Sequence, residues 1–270
     1  MGLEADMTTT SASRVGALCD ALALSRAQLS AVMRQITDPS PTAVGTWSIG
    51  ETAQHISGSA EYFLAAALGE ADLERLDEVD ASNARELAAN PERDPRVLAD
   101  RFDRGGNALV AFARQVGGDP TVTPFAGVEV PLSALLGLEL GEVLVHGRDI
   151  AQAASLPWHI DPLHALLTLE AYLPLFPFTL DRQRAAGVRL ALELRVRGMR
   201  PIVVRIQDGT LVVEDSRGQD VDAHLSAEPV TYLLLMWNRI SPWKPLLRGQ
   251  LFAWGRRPWR VTELGSLLVT

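Results

Sequence analysis

Two histidines and a glutamate are the residues of this chain whose types and spacing could bind a metal ion. Glu142 and His146 are four positions apart in the run Glu142-Val-Leu-Val-His146-Gly-Arg-Asp149, and His55 lies far upstream. On a helix, residues four apart lie on one face, so the Glu142 and His146 side chains should point the same way. Two imidazoles and a carboxylate are a recurring ligand set of catalytic zinc, which keeps one coordination position open for water, substrate or a cofactor.

Each of these residues also has a simpler interpretation. His55 could be a helix histidine with a polar partner, and Glu142 with His146 could be an ordinary pair on a helix surface. Their helix is rich in leucine and valine on several faces, however, which predicts burial. A buried carboxylate needs a partner because an uncompensated charge is costly, and a metal would satisfy both side chains. We expect Asp149 to lie behind His146 and fix its tautomer, with a surface pairing to Arg148 as the alternative.

Charge and cysteine content exclude several classes of protein. The formal net charge of −8 disfavours binding to nucleic acid or to anionic membrane surfaces. The single cysteine, Cys19, excludes an internal disulfide framework, and its apolar neighbours predict a buried structural thiol. We find no secretory signal pattern and no uninterrupted apolar run of about 18 residues. The sequence therefore predicts a soluble, cytoplasmic protein.

The first half of the chain has the pattern of four helices. Apolar spacing predicts helices over residues 13–36 and 95–116, and Ser48-Ile-Gly-Glu51 has the capping-box spacing of a helix start. Pro131 suits the first turn of the helix that carries Glu142 and His146. An acidic, proline-containing stretch over 70–95 predicts a solvated connection with a short helix.

The second half predicts a small α+β domain. After a helix over 162–175, period-two alternation begins at 188–196 and continues at 202–206 and 211–214, with Asp208-Gly209 as the hairpin turn. Residues 222–226 could be a further strand, and 228–237 and 261–268 should be helices. We expect three or four antiparallel strands with helices on one face. At 270 residues the chain should form two domains, with a boundary near 180–187.

Arginines and tryptophans are frequent near the end of the chain. We expect the tryptophans to be domain core, and these are Trp237, Trp243, Trp254 and Trp259. The arginines could present guanidinium groups to a carboxylate substrate or an anionic cofactor, or could simply be solvated, and these are Arg239, Arg248, Arg256 and Arg257. Arg239, beside an apolar helix, is the candidate catalytic residue. The remaining histidines lack ligand spacing, and these are His159, His164 and His224.

Two stretches resemble a known family. Trp47-Ser-Ile-Gly-Glu-Thr-Ala-Gln-His55 resembles the opening of DinB-like four-helix proteins, and the Glu142–Asp149 run is similar to the second ligand helix of their actinobacterial branch, the mycothiol-dependent maleylpyruvate isomerases. In that family the bundle binds a divalent metal through His, Glu and His, which correspond to His55, Glu142 and His146 here. The C-terminal half resembles the SCP2-like domain of these isomerases, notably at Leu246-Leu-Arg-Gly-Gln-Leu251 and Trp254-Gly255. The resemblance implies a DinB-like metal-binding bundle over 13–180 and an SCP2-like α+β domain with an antiparallel sheet over 187–270.

The resemblance also implies a function. It points to a divalent-metal-dependent enzyme, with zinc as the favoured metal, that uses the low-molecular-weight thiol mycothiol as cofactor or co-substrate. A thiolate could add to a conjugated cis double bond, allow rotation and leave, or could attack an electrophile and stay attached; these are the isomerase and S-transferase outcomes. The chain has no nucleophile of its own in the motif, which suits a borrowed one. The expected partners are this thiol and a small substrate that could carry a carboxylate, with no nucleic acid or membrane partner, in a monomer or homodimer.

Other functions remain open at this point. SCP2-like domains can enclose apolar ligands, so a non-enzymatic carrier is the alternative from another class. A bound metal could also have a structural or regulatory role. For the enzyme hypothesis, we expect the second domain to overhang the metal end of the bundle, because small-molecule sites are common at domain junctions.

Overall fold

The computed structural model describes residues 2–268, with side chains from residue 13 onward. The chain divides into two compact units, Met1–Ile160 and Asp161–Thr270. This division precedes the boundary expected at 180–187, because the helix over 162–172 packs in the second unit. The Tyr172 and Trp237 rings are in contact there, with centroids 5.6 Å apart.

The first unit is a helical bundle with two short hairpins. Its helices are α1 (Gly2–Met33), α2 (Ile49–Leu68), α3 (Val79–Ala89), α4 (Pro95–Val116) and α5 (Leu132–Ala153). Its strands are β1 (Thr42–Val44), β2 (Trp47–Ser48), β3 (Thr121–Phe125) and β4 (Val128–Pro131). The long helices α1, α2, α4 and α5 pack against one another, while α3 lies in the acidic connection and contacts α2. The four helices predicted from the sequence are confirmed.

Local signals explain where the helices that carry the site begin. Ser48 caps α2, since its hydroxyl accepts the Glu51 N–H at 3.2 Å while the Glu51 carboxylate accepts the Ser48 N–H at 2.8 Å. This reciprocal pair satisfies two donors at the helix start, as the capping-box spacing predicted. Pro131, which cannot donate a hydrogen bond, immediately precedes α5. Most residues of α5 are buried, so its polar side chains lie inside the bundle.

Helix α1 supplies one wall of the bundle core. Its segment Ser13–Met33 is long and apolar enough to cross a membrane by length and composition. More than half of its most apolar stretch is buried, however, with Leu18, Leu22 and Leu29 fully enclosed. A core helix of a soluble bundle shows this burial, and α1 contacts α4 and α5 accordingly. Cys19 is buried here as predicted, and burial raises the pKa of its thiol.

The second unit is α+β, as predicted. Its helices are α6 (Pro162–Tyr172), α7 (Pro229–Met236), α8 (Trp243–Leu247) and α9 (Val261–Ser266). Its strands are β5 (Arg189–Val196), β6 (Ile202–Gln207), β7 (Thr210–Asp215), β8 (Ala223–Ala227) and β9 (Leu251–Gly255). Asp208 and Gly209 both have positive φ, which is the backbone of the tight turn predicted between β6 and β7.

The sheet differs from the expected three or four antiparallel strands. Within the described residues it has five strands in the order β7-β6-β5-β8-β9, and β5 pairs with β8 in parallel. The sequence analysis missed β9, because Leu251-Phe-Ala-Trp-Gly255 does not alternate apolar with polar residues. The chain between β5 and β8 contains β6, β7 and residues 216–222, and this long connection allows the parallel pairing, which local turn signals do not specify.

The expectation that the late tryptophans are core is wrong for three of them. Trp243, Trp254 and Trp259 expose 71%, 41% and 65% of their surface, whereas Trp237 is half-buried. Trp243 belongs to the short helix α8, Trp254 to the edge strand β9, and Trp259 to a single 3-10 turn. The core of this unit is filled instead by aliphatic side chains of β5 and β6.

Candidate metal centre

The bundle brings His55, Glu142 and His146 to one place. Each offers a donor atom, and the three donors lie within 4.8 Å of one another. The Glu142 Oε2 atom is 3.1 Å from His146 Nε2 and 3.6 Å from His55 Nε2. The carboxylate on α5 therefore faces an imidazole from its own helix and another from α2, and the sequence-predicted convergence is present.

The ligand candidates are shielded but reachable from solvent. The Glu142 side chain keeps 19% of its surface exposed, against 14% for His55 and 8% for His146. The two imidazole rings meet edge to face with centroids 5.3 Å apart, and Trp47 packs 5.2 Å from His55 on its other side. The cluster is thus a partly buried site that solvent still reaches, which suits a bound ion with an open coordination position.

Electrostatics of the cluster favour a charged carboxylate. Burial raises the pKa of Glu142, but hydrogen bonds and charges from His146 and His55 outweigh it and hold that pKa well below its usual value. Burial lowers the pKa of His146, but Asp149 and Glu142 outweigh it and raise this pKa to about 9. A permanently ionised carboxylate between two imidazoles attracts a cation, including a proton when no metal competes.

The polar atoms of the two imidazoles fit a shared ion. The Nε2 atoms of His55 and His146 both face the same oxygen of Glu142. Nδ1 of His55 is buried and has no hydrogen-bond partner within the described part of the chain. The donor set of two nitrogens and one oxygen is one that zinc and other divalent transition metals accept.

Asp149 lies where the sequence analysis expected it, behind His146. Its Oδ2 atom is 3.5 Å from His146 Nδ1, and its side chain is almost fully buried. Arg148 contributes a guanidinium 3.7 Å from Asp149 Oδ1, so both proposed partners of Asp149 are present. A carboxylate at this position can orient the ring, since histidine ligands commonly direct the remaining N–H at such a group.

The arginine candidates all lie in the second unit. Arg239 follows α7, is half-buried, and donates from Nη1 to the Trp237 carbonyl at 2.6 Å. Arg256 and Arg257 follow β9 and face aspartates, and Arg248 is exposed. The role of Arg239 toward a substrate stays a prediction.

Sequence reasoning missed a second ionic pair on α5. Glu139, one turn before Glu142, is fully buried and accepts a hydrogen bond from Nη1 of Arg26 on α1. Nη2 of Arg26 donates to the Phe102 carbonyl, and the guanidinium lies over the Phe102 ring, 3.6 Å from its centroid. Burial raises the pKa of Glu139 to about 7 and lowers that of Arg26. Each is a lone charge in an apolar helical run, and that signal could have found them.

Comparison with known proteins agrees with the fold and identifies a family. Residues 15–151 match the family described as the mycothiol maleylpyruvate isomerase N-terminal domain. A crystal structure of the mycothiol-dependent maleylpyruvate isomerase is similar with a TM-score of 0.50 and 15% identity, over 84% of this chain and 90% of that one. A mutant of the same enzyme gives a TM-score of 0.51 and 12% identity, over 88% and 92%. These two matches agree with the α+β architecture over most of the chain.

Further matches are weaker. The inverting sec-alkylsulfatase Pisa1 from Pseudomonas sp. has a TM-score of 0.36 and 17% identity, and the match covers 69% of this chain but only 31% of that one. The protein described as UbiJ-SCP2 ubiquinone synthesis protein has a TM-score of 0.29 and 18% identity, over 41% of this chain and 93% of that one. No curated protein matches the chain. Since the family match covers half of the sequence, the chain belongs to the mycothiol maleylpyruvate isomerase family.

Proposed function

We propose that this protein is a divalent-metal-dependent enzyme that uses mycothiol as cofactor or co-substrate, with zinc as the metal. The observation that carries the proposal is the convergence of His55, Glu142 and His146 within 4.8 Å, in a chain of this family. The three residues would hold the ion, with Glu142 as the only anionic ligand.

The protonation states of the site make metal binding dependent on pH. The lowered pKa of Glu142 keeps this carboxylate ionised and ready for a cation. His146, with a pKa raised to about 9, carries a proton near neutral pH that an ion must displace. Metal affinity should therefore rise with pH through this range, and loading should release protons.

The chain itself offers no competent thiol. Its one cysteine, Cys19, is fully buried and burial raises the pKa of the thiol, so it is a poor nucleophile. When bound, the ion would supply the positive charge that lowers the pKa of an incoming thiol. This combination supports a nucleophile borrowed from a small molecule.

The remaining residues would position the reactants. Asp149 would hold the His146 ring through Nδ1. Arg239 would bind the carboxylate of a small substrate through its guanidinium. Two reactions use such a site: cis–trans isomerisation by reversible thiolate addition, and transfer of the thiol to an electrophile. We place this activity in the cytoplasm, in a monomer or homodimer, without nucleic-acid or membrane partners.

A carrier of apolar ligands is the second candidate function. In the second unit, an apolar cavity of about 20 Å³ lies between α6, α7 and the sheet, lined by residues such as Leu169, Phe176, Leu194 and Tyr232. Ligand pockets span roughly 300–1,000 Å³, so this cavity is far smaller than an apolar ligand needs. Its small size favours the enzyme over the carrier.

The test measures metal content and thiol binding together. Purified protein should contain about one transition-metal ion per chain by mass spectrometry of the elements. Calorimetric titration with mycothiol should show binding to metal-loaded protein only. Repeating the titration in buffers of different ionisation enthalpy should reveal a released proton.

A matched pair of variants locates the site. His146→Ala should lose both the ion and thiol binding, whereas His159→Ala, which removes an exposed histidine of the same unit, should keep both. Equal thiol binding by metal-loaded and metal-free protein would refute the cofactor role, and tight binding of a fatty acid by metal-free protein would favour the carrier.

A further inference from the structure

An open cleft in the second unit is lined by arginines from three segments of that unit. The cleft has a volume of about 300 Å³ and lies at the paired ends of β5 and β6. Arg189 begins β5 and Arg205 lies within β6. The other three arginines follow β9, and these are Arg256, Arg257 and Arg260. Arg189 is paired in register with Gln207, and Ala191 with Arg205, so Arg189 and Arg205 lie on the same face of the sheet.

The charge of this cleft is opposite to that of the whole protein. Five arginines and two aspartates, Asp220 and Asp222, line it, so positive charge exceeds negative at its surface. The chain as a whole carries −8. Two of the arginines are also paired with carboxylates outside the lining, Arg205 with Glu214 and Arg260 with Glu263. With these two carboxylates counted, one positive charge remains in excess.

Asp222 fixes the floor of the cleft. Its Oδ2 atom accepts the Ala191 N–H at 3.1 Å and Nη1 of Arg260 at 2.9 Å. Arg260 is largely buried, so it holds Asp222 and leaves few donors for anything else. This network joins the start of β5, the start of β8 and the segment after β9 into one preformed surface.

The outer arginines keep donors available. Among the side chains of residues 13–268, that of Arg189 forms no ion pair or hydrogen bond, although it is exposed at the start of β5. Arg257 approaches Asp222 only at 3.7 Å and exposes more than half of its side chain. Arg256 uses Nη2 for Asp220 and for the Val221 carbonyl, which leaves its other nitrogens open.

We propose that this cleft binds a small molecule through a phosphate group. Guanidinium groups match phosphate oxygens through paired N–H donors, and a tetrahedral dianion can accept from several directions at once. Arginines that converge from β5, β6 and the segment after β9 offer donors from such different directions, whereas a planar carboxylate would engage fewer of them. The site is independent of the metal centre, and its ligand is a phosphate ester, either free in solution or as the headgroup of a lipid.

The test is a calorimetric titration of the full-length protein with inorganic pyrophosphate at constant ionic strength. We expect saturable binding that is unchanged when the metal is stripped. The double variant Arg189→Gln/Arg257→Gln should weaken it at least ~10-fold, because two charge-assisted contacts are lost. Circular dichroism should show an unchanged fold, since both side chains are exposed.

The matched control is Arg197→Gln. Arg197 follows the opposite end of β5, about 26 Å along the strand from Arg189, and is an exposed arginine paired with Glu228. This variant should bind pyrophosphate like the wild type. Equal weakening by the control, no weakening by the double variant, or no saturable binding at all would each overturn the proposal.

Vesicles distinguish the two sources of phosphate. The ligand is a lipid headgroup if the wild-type protein sediments with phosphatidic acid vesicles but not with phosphatidylcholine vesicles. The double variant should then no longer sediment with phosphatidic acid. Binding of pyrophosphate without sedimentation would assign it to a soluble phosphate ester.

Discussion

Two carboxylates lie one turn apart on α5 and have opposite chemistry. Glu142 contacts two imidazoles and keeps 19% of its side chain exposed. Glu139 contacts one guanidinium, that of Arg26, and is fully enclosed. The pKa of Glu142 is well below its usual value, whereas burial raises that of Glu139 to about 7.

The difference lies in the partners. An imidazole can lose its proton and become a metal ligand, while a guanidinium keeps its proton in proteins and cannot. The Glu142 cluster can therefore exchange protons for an ion, but the Arg26–Glu139 pair can only be a closed internal ion pair. Burial lowers the pKa of Arg26 and raises that of Glu139, so it favours the neutral form of each side chain. Such shifts mark an ion pair that desolvation disfavours. Helix α5 therefore carries a candidate metal ligand, Glu142, and a structural residue, Glu139, one turn apart.

The largest expected effect is on metal content. Glu142→Gln should weaken metal binding by more than ~100-fold, because removing even a residue behind a ligand costs roughly 10–100-fold. The apolar double variant Arg26→Met/Glu139→Leu should keep the ion, since it alters only the closed pair. Elemental analysis after dialysis against a chelator checks both. Loss of metal from the double variant would show that metal binding depends on the Arg26–Glu139 pair, and the contrast between the two carboxylates would then be wrong.

A second prediction concerns stability. At about pH 8, above the Glu139 pKa of about 7, Glu139→Leu should lower the free energy of unfolding by about 3–5 kcal/mol, because it leaves the Arg26 guanidinium buried without a counter-charge. Adding Arg26→Met should recover most of this loss, since an apolar pair of similar size often replaces a buried ion pair at no cost. Urea unfolding of the two single variants and the double variant measures the coupling. Additive effects in this cycle would mean that the two charges do not interact.

The contrast between Glu142 and Glu139 also shows which contacts can be predicted from the sequence. The i,i+4 spacing placed Glu142 and His146 on one face, and the capping box at Ser48 placed the start of the helix that carries His55. Those signals are local, so they are readable from the sequence. The pairing of Arg26 with Glu139 joins α1 to α5 over 113 positions, and nothing local specifies it.

The second unit shows the same limit. The Asp208-Gly209 turn and the alternation of β5 identified a hairpin, because turn and strand patterns are local. The parallel partner of β5 and the position of β9 at the sheet edge depend on how distant segments pack. For that reason the tryptophan-rich end was expected in the core, although Trp243 and Trp259 are largely exposed.

A third prediction uses the raised pKa of Glu139. In the folded protein the pKa of this carboxyl is about 7, while in the unfolded chain the carboxyl has the ordinary glutamate pKa of about 4.5. The folded state thus binds more protons between these values, so its contribution to stability is full below pH 4.5 and is lost as pH rises through 7. The wild type should lose roughly 3 kcal/mol at most over this window relative to Glu139→Gln. Urea unfolding of both proteins at pH 5 and 7.5 measures the difference, and parallel pH profiles would contradict the prediction.

The smallest expected effect concerns the room that the closed pair needs. Gly106 on α4 lies against Arg26, and a Cβ there would collide with the guanidinium. Gly106→Ala should therefore displace Arg26 and destabilise the protein by roughly 1–3 kcal/mol.

The control is Gly16 on α1, which has open space around its Cβ position. Gly16→Ala should instead stabilise the protein by roughly 0.5–1 kcal/mol, because alanine favours a helix interior. Thermal unfolding of the two variants gives the signs. In the background Arg26→Met/Glu139→Leu, the loss at Gly106→Ala should shrink, since a flexible methionine can move aside where the paired guanidinium cannot. An undiminished loss there would mean that Gly106 is required by the packing of α1 on α4 and not by the ion pair.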